Sequence, residues 1–202
     1  MLRKTLLAVL LSLPALSQAQ QDVKTTQNNP QPNIDYKQPG APLPPFIVMA
    51  YNDTSAKGKE NLKKKERRRS AKNVDSTGGT YTVLTEKDLD NGANLLVMMF
   101  NPTCLHCEDV TFMMEKNISD FKRSKVVLVA SKPMAEYLPD FAQRHHIASY
   151  PAMYIGWDSS RIIDNVYLYQ ALPQINIYDG KRNLLKTYTG EVPIDTLRKY
   201  IE

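Results

Sequence analysis

Cysteine is scarce: the 202-residue chain has two. That excludes a small disulfide-stapled scaffold and a four-cysteine zinc site, both of which need more thiols. Long apolar runs are lacking too. The N-terminal one, Leu6 to Leu16, is about eleven residues and is broken by Ser12 and Pro14. A bilayer span takes about 20. Aromatic residues are missing from the most basic stretch, Lys63-Lys64-Lys65-Glu66-Arg67-Arg68-Arg69, so that stretch offers no base stacking. What is there is a 42% hydrophobic, 23% charged composition, enough for one domain with its own core and some spare chain.

The spare chain is at the N-terminus. Residues 1–19 read as a secretory signal peptide: Arg3 and Lys4 form the positive start, the short apolar run follows, and Ser17-Gln18-Ala19 supplies small residues for cleavage. No cysteine near that point could take a lipid anchor. An exported, periplasmic or otherwise extracytoplasmic soluble protein is expected, in a compartment where disulfides persist. Residues 20–42, rich in Gln, Asn, Pro and Thr, read as a flexible leader.

The formal charge of +5 is local. Between Asp53 and Lys72 nine basic residues face three acids, so the rest of the chain is slightly acidic. A basic loop insert at about 53–79 is expected, solvated or in contact with an anionic surface. It lacks the apolar face of a membrane helix, and nucleic acid is not an expected partner.

From 43 to 202 strand and helix patterns alternate. Pro45–Ala50 and Thr80–Leu84 are β-prone, and Thr85 to Leu89 reads as a short helix with Thr85 as N-cap and Asp88 as its acid. Leu95–Phe100 and Val126–Ala130 are continuous apolar runs, as buried strands are. Between them Val110, Met113, Met114, Ile118 and Phe121 lie at helical spacing. Met134 to Ile147 reads as helix, broken at Pro139. A strand at Tyr150–Trp157, a helix capped by Asp158-Ser159-Ser160 and running to about Tyr169, a hairpin of Pro173–Tyr178 and Leu184–Tyr188 about Asp179-Gly180, and a last helix with Ile194, Leu197 and Ile201 inward complete the chain. This pattern predicts an α/β layered domain.

Cys104-Leu105-His106-Cys107 sits where an apolar strand gives way to a helix. A thiol in the first turn of a helix meets unpaired N–H groups and the positive end of the dipole, and both favour the nucleophilic thiolate. Cys104 is the expected attacking thiol and Cys107, one turn in, the buried resolving thiol. The expected reaction is thiol–disulfide exchange with protein substrates, in either direction. His106 is a candidate modulator, with an imidazole able to hydrogen-bond the Cys104 thiolate. Glu108 and Asp109 act against thiolate formation.

These segments resemble the thioredoxin superfamily over roughly 43–202, the basic insert apart. The resemblance is carried by Leu95–Phe100 leading into Cys104–Cys107, by Ala171-Leu172-Pro173-Gln174-Ile175-Asn176-Ile177-Tyr178-Asp179-Gly180, and by Tyr188-Thr189-Gly190 before a terminal helix. It implies a thioredoxin-like α/β fold, a central mixed β-sheet with helices on both faces. It also implies a cis-proline, matched by Pro173, whose neighbouring backbone pairs with bound peptide, so Leu172 and Pro173 are the expected substrate-binding positions. Pro151 is the rival match. The 69 residues from Cys104 to Pro173 leave room for an extra strand and helix, which is similar to the exported TlpA/ResA-type branch. A membrane redox relay partner is implied if the protein works as a reductant. Three positions depart from the familiar pattern: Thr103 replaces the usual Trp before the first Cys, Met98 stands where a buried acid is common, and Leu172 makes the groove more apolar. Thr103 therefore joins His106 as a modulating candidate.

Two other readings share the fold. A copper or other metal chaperone would use Cys104, Cys107 and a histidine such as His145 or His146, although the usual copper pair has three intervening residues. A non-catalytic binding module would keep the pair as a static disulfide. No cofactor and no metal ligand set is assigned from sequence.

Overall fold

The computed structural model describes residues 34–52, 80–168 and 171–201. The expected signal peptide, most of the expected leader and the basic insert at 53–79 lie outside the described residues. Backbone contacts with the domain begin at Gly40, ahead of the expected boundary at Leu43. Gly40 N–H donates to the Leu184 carbonyl (2.7 Å), Leu184 N–H to Ala41, and Leu43 N–H to Arg182.

Seven strands make one mixed sheet: β1 (Ile47–Asn52), β2 (Thr80–Thr85), β3 (Leu95–Met99), β4 (Lys125–Ala130), β5 (Met153–Asp158), β6 (Gln174–Tyr178) and β7 (Leu184–Thr189). Their order is β2-β1-β5-β4-β3-β6-β7. β3, β4 and β5 run parallel; β1 is antiparallel to β2 and β5, and β6 to β3 and β7. The continuous apolar runs are the central strands, as parallel pairing with cover on both sides requires.

Because side chains alternate along a strand, the sheet divides its apolar residues between two cores. Leu96, Met98, Val126, Leu128, Ile155, Ile175 and Ile177 point one way. They pack under the helices α1 (Leu105–Lys116), α2 (Leu138–Arg144) and α3 (Ile194–Leu197), through Val110 and Met114, Leu138 and Phe141, and Leu197. Leu95, Val97, Met99, Val127 and Val129 point the other way, against Phe46, Leu89, Ile162, Ile163 and Tyr167.

Cover on this second face is thinner than the sequence predicts. The helix expected from Thr85 is a single turn. Its capping contacts do form, with Thr85 N–H and Oγ1 both bonded to Asp88 Oδ2 (2.9 and 2.8 Å). Asp90 and Asn91 then take the amides of Gly92 and Ala93 and turn the chain into β3. The helix expected over 159–169 is a π-helical turn at Ile163–Tyr167. Buried Asp158 is its cap: Oδ2 accepts from Ile163 N–H (2.8 Å) while Oδ1 accepts from Ser160 N–H and Oγ. On the first face the break expected at Pro139 falls at the start of α2, after a 3-10 segment at Lys132–Tyr137. The last helix is one turn at Ile194–Leu197.

Gly156 sets the closeness of β1 and β5. A Cβ there would lie 2.4 Å from the Met49 carbonyl oxygen and 2.5 Å from Val48 Cγ1, so no other residue fits without moving a strand.

Candidate active site

The site grows from the C-terminal end of β3. Asn101 ends the strand with a side-chain turn: its Oδ1 accepts from Thr103 N–H and Thr103 Oγ1, both at 2.9 Å. Thr103 is exposed, with its hydroxyl spent on Asn101. The turn delivers Cys104 to the N-cap of α1, where φ −95° and ψ 119° are extended rather than helical. Cys104 Sγ accepts a hydrogen bond from Cys107 N–H at 3.4 Å. That amide is one of the donors every helix leaves without a backbone partner. A thiol thus does the work that Ser or Asp usually does at an N-cap.

The two thiols differ in environment. Cys104 is half-buried and Cys107 fully buried, and both are free. Burial, with the neighbouring Cys104 sulfur adding to it, pushes the Cys107 thiol up to about 12. Cys107 shares its core with Met98, so the strand position expected to lack an acid is packed with thioether.

Leu172–Pro173 is a cis peptide bond, the one cis bond among the described residues, so Pro151 is not a second. Met99 pairs with Gln174 across β3 and β6. The residues just beyond, Phe100 and Pro173, therefore lie at the same end of neighbouring strands, and the Cys104 turn and Pro173 share one end of the sheet. Pro173 is buried and Leu172 half-buried. The Pro173 carbonyl accepts from Gly190 N–H (2.8 Å), and Gly190 has φ +80°, which suits glycine.

His106 does not turn to the thiol. Its Nδ1 lies 2.6 Å from Glu191 Oε1, with both side chains exposed. Sequence reasoning gave Glu191 no role, since nothing local links two residues 85 apart. Of the two acids after Cys107, Glu108 pairs with Arg144 Nε (3.1 Å), and Arg144 also reaches Asp140.

A second unforeseen pair lies behind α1. His145, fully buried, places Nδ1 3.0 Å from Glu115 Oε1, and its other nitrogen lies 3.6 Å from Glu108. Phe141 stacks against the ring at 4.3 Å and Phe112 meets it edge-on. Burial pushes the Glu115 carboxyl up to about 7 and the imidazole down from its ordinary value. His145 is thus a packed partner of Glu115. Among the described residues no metal-capable group of three joins it or His146 to the cysteines.

No protein-family model and no curated protein matches the sequence. Solved structures match it in shape. A Chlorobium tepidum protein described as the thiol:disulfide interchange protein DsbE superposes with a TM-score of 0.51 at 17% identity, over 81% of this chain and 94% of its own. The thioredoxin domain of a thiol-disulfide oxidoreductase from Bacteroides vulgatus gives 0.53 at 13% identity, over 82% and 99%.

The fold is thioredoxin-like. Its central β3-α1 unit carries the cysteine pair, and its β6-β7 hairpin carries the cis-proline beside it. In this thioredoxin-like frame β4, α2 and β5 all lie on the path from Cys104 to Pro173.

Proposed function

We propose that the chain is an exported thiol–disulfide oxidoreductase acting on protein substrates through Cys104 and Cys107. The observation that carries this reading is the asymmetry of the sulfurs. One stands on the rim at a helix N-terminus and accepts an amide; the other is buried and held protonated near neutral pH. An exchange reaction needs that division of labour. The Cys104 thiolate attacks one sulfur of a substrate disulfide, the S–S bond breaks, and the other substrate sulfur leaves as a thiolate. Cys107 then gives up its proton and attacks Cys104 Sγ. The mixed disulfide breaks, the second substrate sulfur leaves, and a Cys104–Cys107 disulfide remains. Two electrons have passed to the substrate; the reverse sequence oxidises it.

Leu172 and Pro173 are the proposed substrate-binding positions, supported by their place at the end of β6 next to the Cys104 turn. Thr103 and His106 are the proposed modulators, Thr103 through the Asn101 turn that sets Cys104 and His106 through its pair with Glu191 on the rim. Export is supported by residues 1–19 of the sequence. Among the described residues no helix is long and apolar enough to cross a membrane. The basic insert contacts an anionic surface in this reading, and a membrane redox relay restores the thiols if the protein works as a reductant.

The test is a trapping experiment with a disulfide-bonded test protein. Cys107→Ser accumulates a mixed disulfide seen by mass and released by reductant, while Cys104→Ser accumulates none. No adduct with Cys107→Ser, together with no exchange by the wild type, refutes the proposal and favours a static binding module. Copper held by the wild type and lost on mutating either cysteine, without an adduct, favours a metal carrier.

A further inference from the structure

Three metal-capable side chains meet on the rim beside the thiols. His106 and Asp109 lie three residues apart in α1 and so share a helix face. Glu191 arrives from the segment after β7, directly behind Gly190, whose amide is held by the Pro173 carbonyl. One donor atom from each of the three lies within 4.8 Å of the others, and His106 Nδ1 is hydrogen-bonded to Glu191 Oε1 at 2.6 Å. A tetrahedral ion with bonds of about 2.0–2.2 Å holds its donors roughly 3.3–3.6 Å apart, so an entering ion would take the place of the His106–Glu191 hydrogen bond and part those two atoms by about 1 Å.

Charge points the same way. Among the described residues no lysine or arginine forms an ion pair with Asp109 or Glu191. Arg144, the nearby cation on α2, is engaged by Glu108 and Asp140. Among the described residues two carboxylates and an imidazole therefore converge with no lysine or arginine paired to Asp109 or Glu191.

We propose that His106, Asp109 and Glu191 form a binding site for a zinc-like divalent cation. The imidazole turns an otherwise hard oxygen set towards zinc and away from magnesium or calcium. Three protein donors leave a fourth position for water, the open arrangement. Exposure of the imidazole and the Glu191 carboxylate (68% and 61%) makes the ion exchangeable. When bound, it cross-links the first turns of α1 to the segment that follows β7. The site uses neither cysteine, so it is separable from metal capture by the thiols and does not depend on the redox reading.

Isothermal titration with zinc chloride, at neutral pH on tag-free protein, tests this. The background is the Cys104→Ser/Cys107→Ser double variant, which removes the thiols. Saturable binding of a single zinc ion per chain is expected. Even outer-shell partners of a metal ligand are worth about 10–100-fold in affinity, so His106→Ala, Asp109→Asn and Glu191→Gln should each weaken binding about tenfold or more. His146→Ala should leave it unchanged. Far-UV circular dichroism checks that each exposed-site variant is folded. The proposal is overturned if zinc does not bind the double variant up to millimolar concentration, or if it binds with an affinity that the three substitutions leave unchanged.

Discussion

Glu115→Gln is the most informative single change away from the thiols. The wild-type carboxyl is wedged between α1 and α2, against an imidazole that is itself out of water. Folding moves its pKa from 4.5 to about 7, through burial. Between those values the folded chain holds a proton that the unfolded chain has lost. This stabilisation is therefore complete below about pH 4.5 and is lost as pH rises through about 7. The full shift corresponds to about 3 kcal/mol. Solvent on the outer side of the pair screens the carboxylate, and about 1–2 kcal/mol is the better expectation. His145 works in the opposite sense, because its lowered value withdraws stability as pH falls. Glu108 and Arg144 also face the ring, from α1 and α2. All three remain in the variant, so the difference between the two proteins reports Glu115 together with its coupling to His145. The amide keeps an oxygen to accept from Nδ1 and cannot ionise. Urea unfolding followed by circular dichroism, under reducing conditions and across about pH 4.5 to 8, gives the stability of each protein. Relative to wild type, the variant should gain about 1–2 kcal/mol over that range. A difference that does not change with pH would refute the reasoning, because it would mean that the carboxyl titrates as if in water.

Two further substitutions probe the frame. Asp158→Ala should cost about 2–3 kcal/mol in the same unfolding assay, since Ile163 N–H loses its acceptor in a buried setting. Asn at that position should recover part of the loss. Gly156→Ala should cost about 2–3 kcal/mol or more, because the new methyl overlaps the Met49 carbonyl; a change within about 0.5 kcal/mol would contradict the close packing of β1 on β5.

The legible part of the fold was carried by apolar runs. Leu95–Met99 and Val126–Ala130 have no polar position to expose, which suits central strands, and Cys104 follows the end of the first. Asp179-Gly180 likewise marked the β6-β7 hairpin, though its loop runs over 179–183 with the left-handed residue at Arg182. The second-face helices misled because their caps are genuine. Thr85 with Asp88, and Asp158 with Ile163, make the bonds that start a helix. Capping satisfies the first amides only. It does not supply the apolar face that prolongs a helix, and left-handed residues at Arg161 and Leu168 flank the turn at 163–167. At the site, Cys104, Cys107 and Pro173 were readable because each is tied to local geometry. The Glu191 and Glu115 contacts were not, since both depend on where distant segments dock.

The antiparallel setting of β1 gives the molecule a front and a back. Ala50 lies across from Gly156 and Asn52 across from Thr80, so β1 ends, and β2 begins, at the end of the sheet where β3, β4 and β5 start. Cys104 follows the opposite end, where β3 finishes. Asn52 and Thr80 therefore lie at the pole remote from the thiols. A bulky group attached at Asn52 or Thr80 would sit at the far end of the sheet from the cysteines.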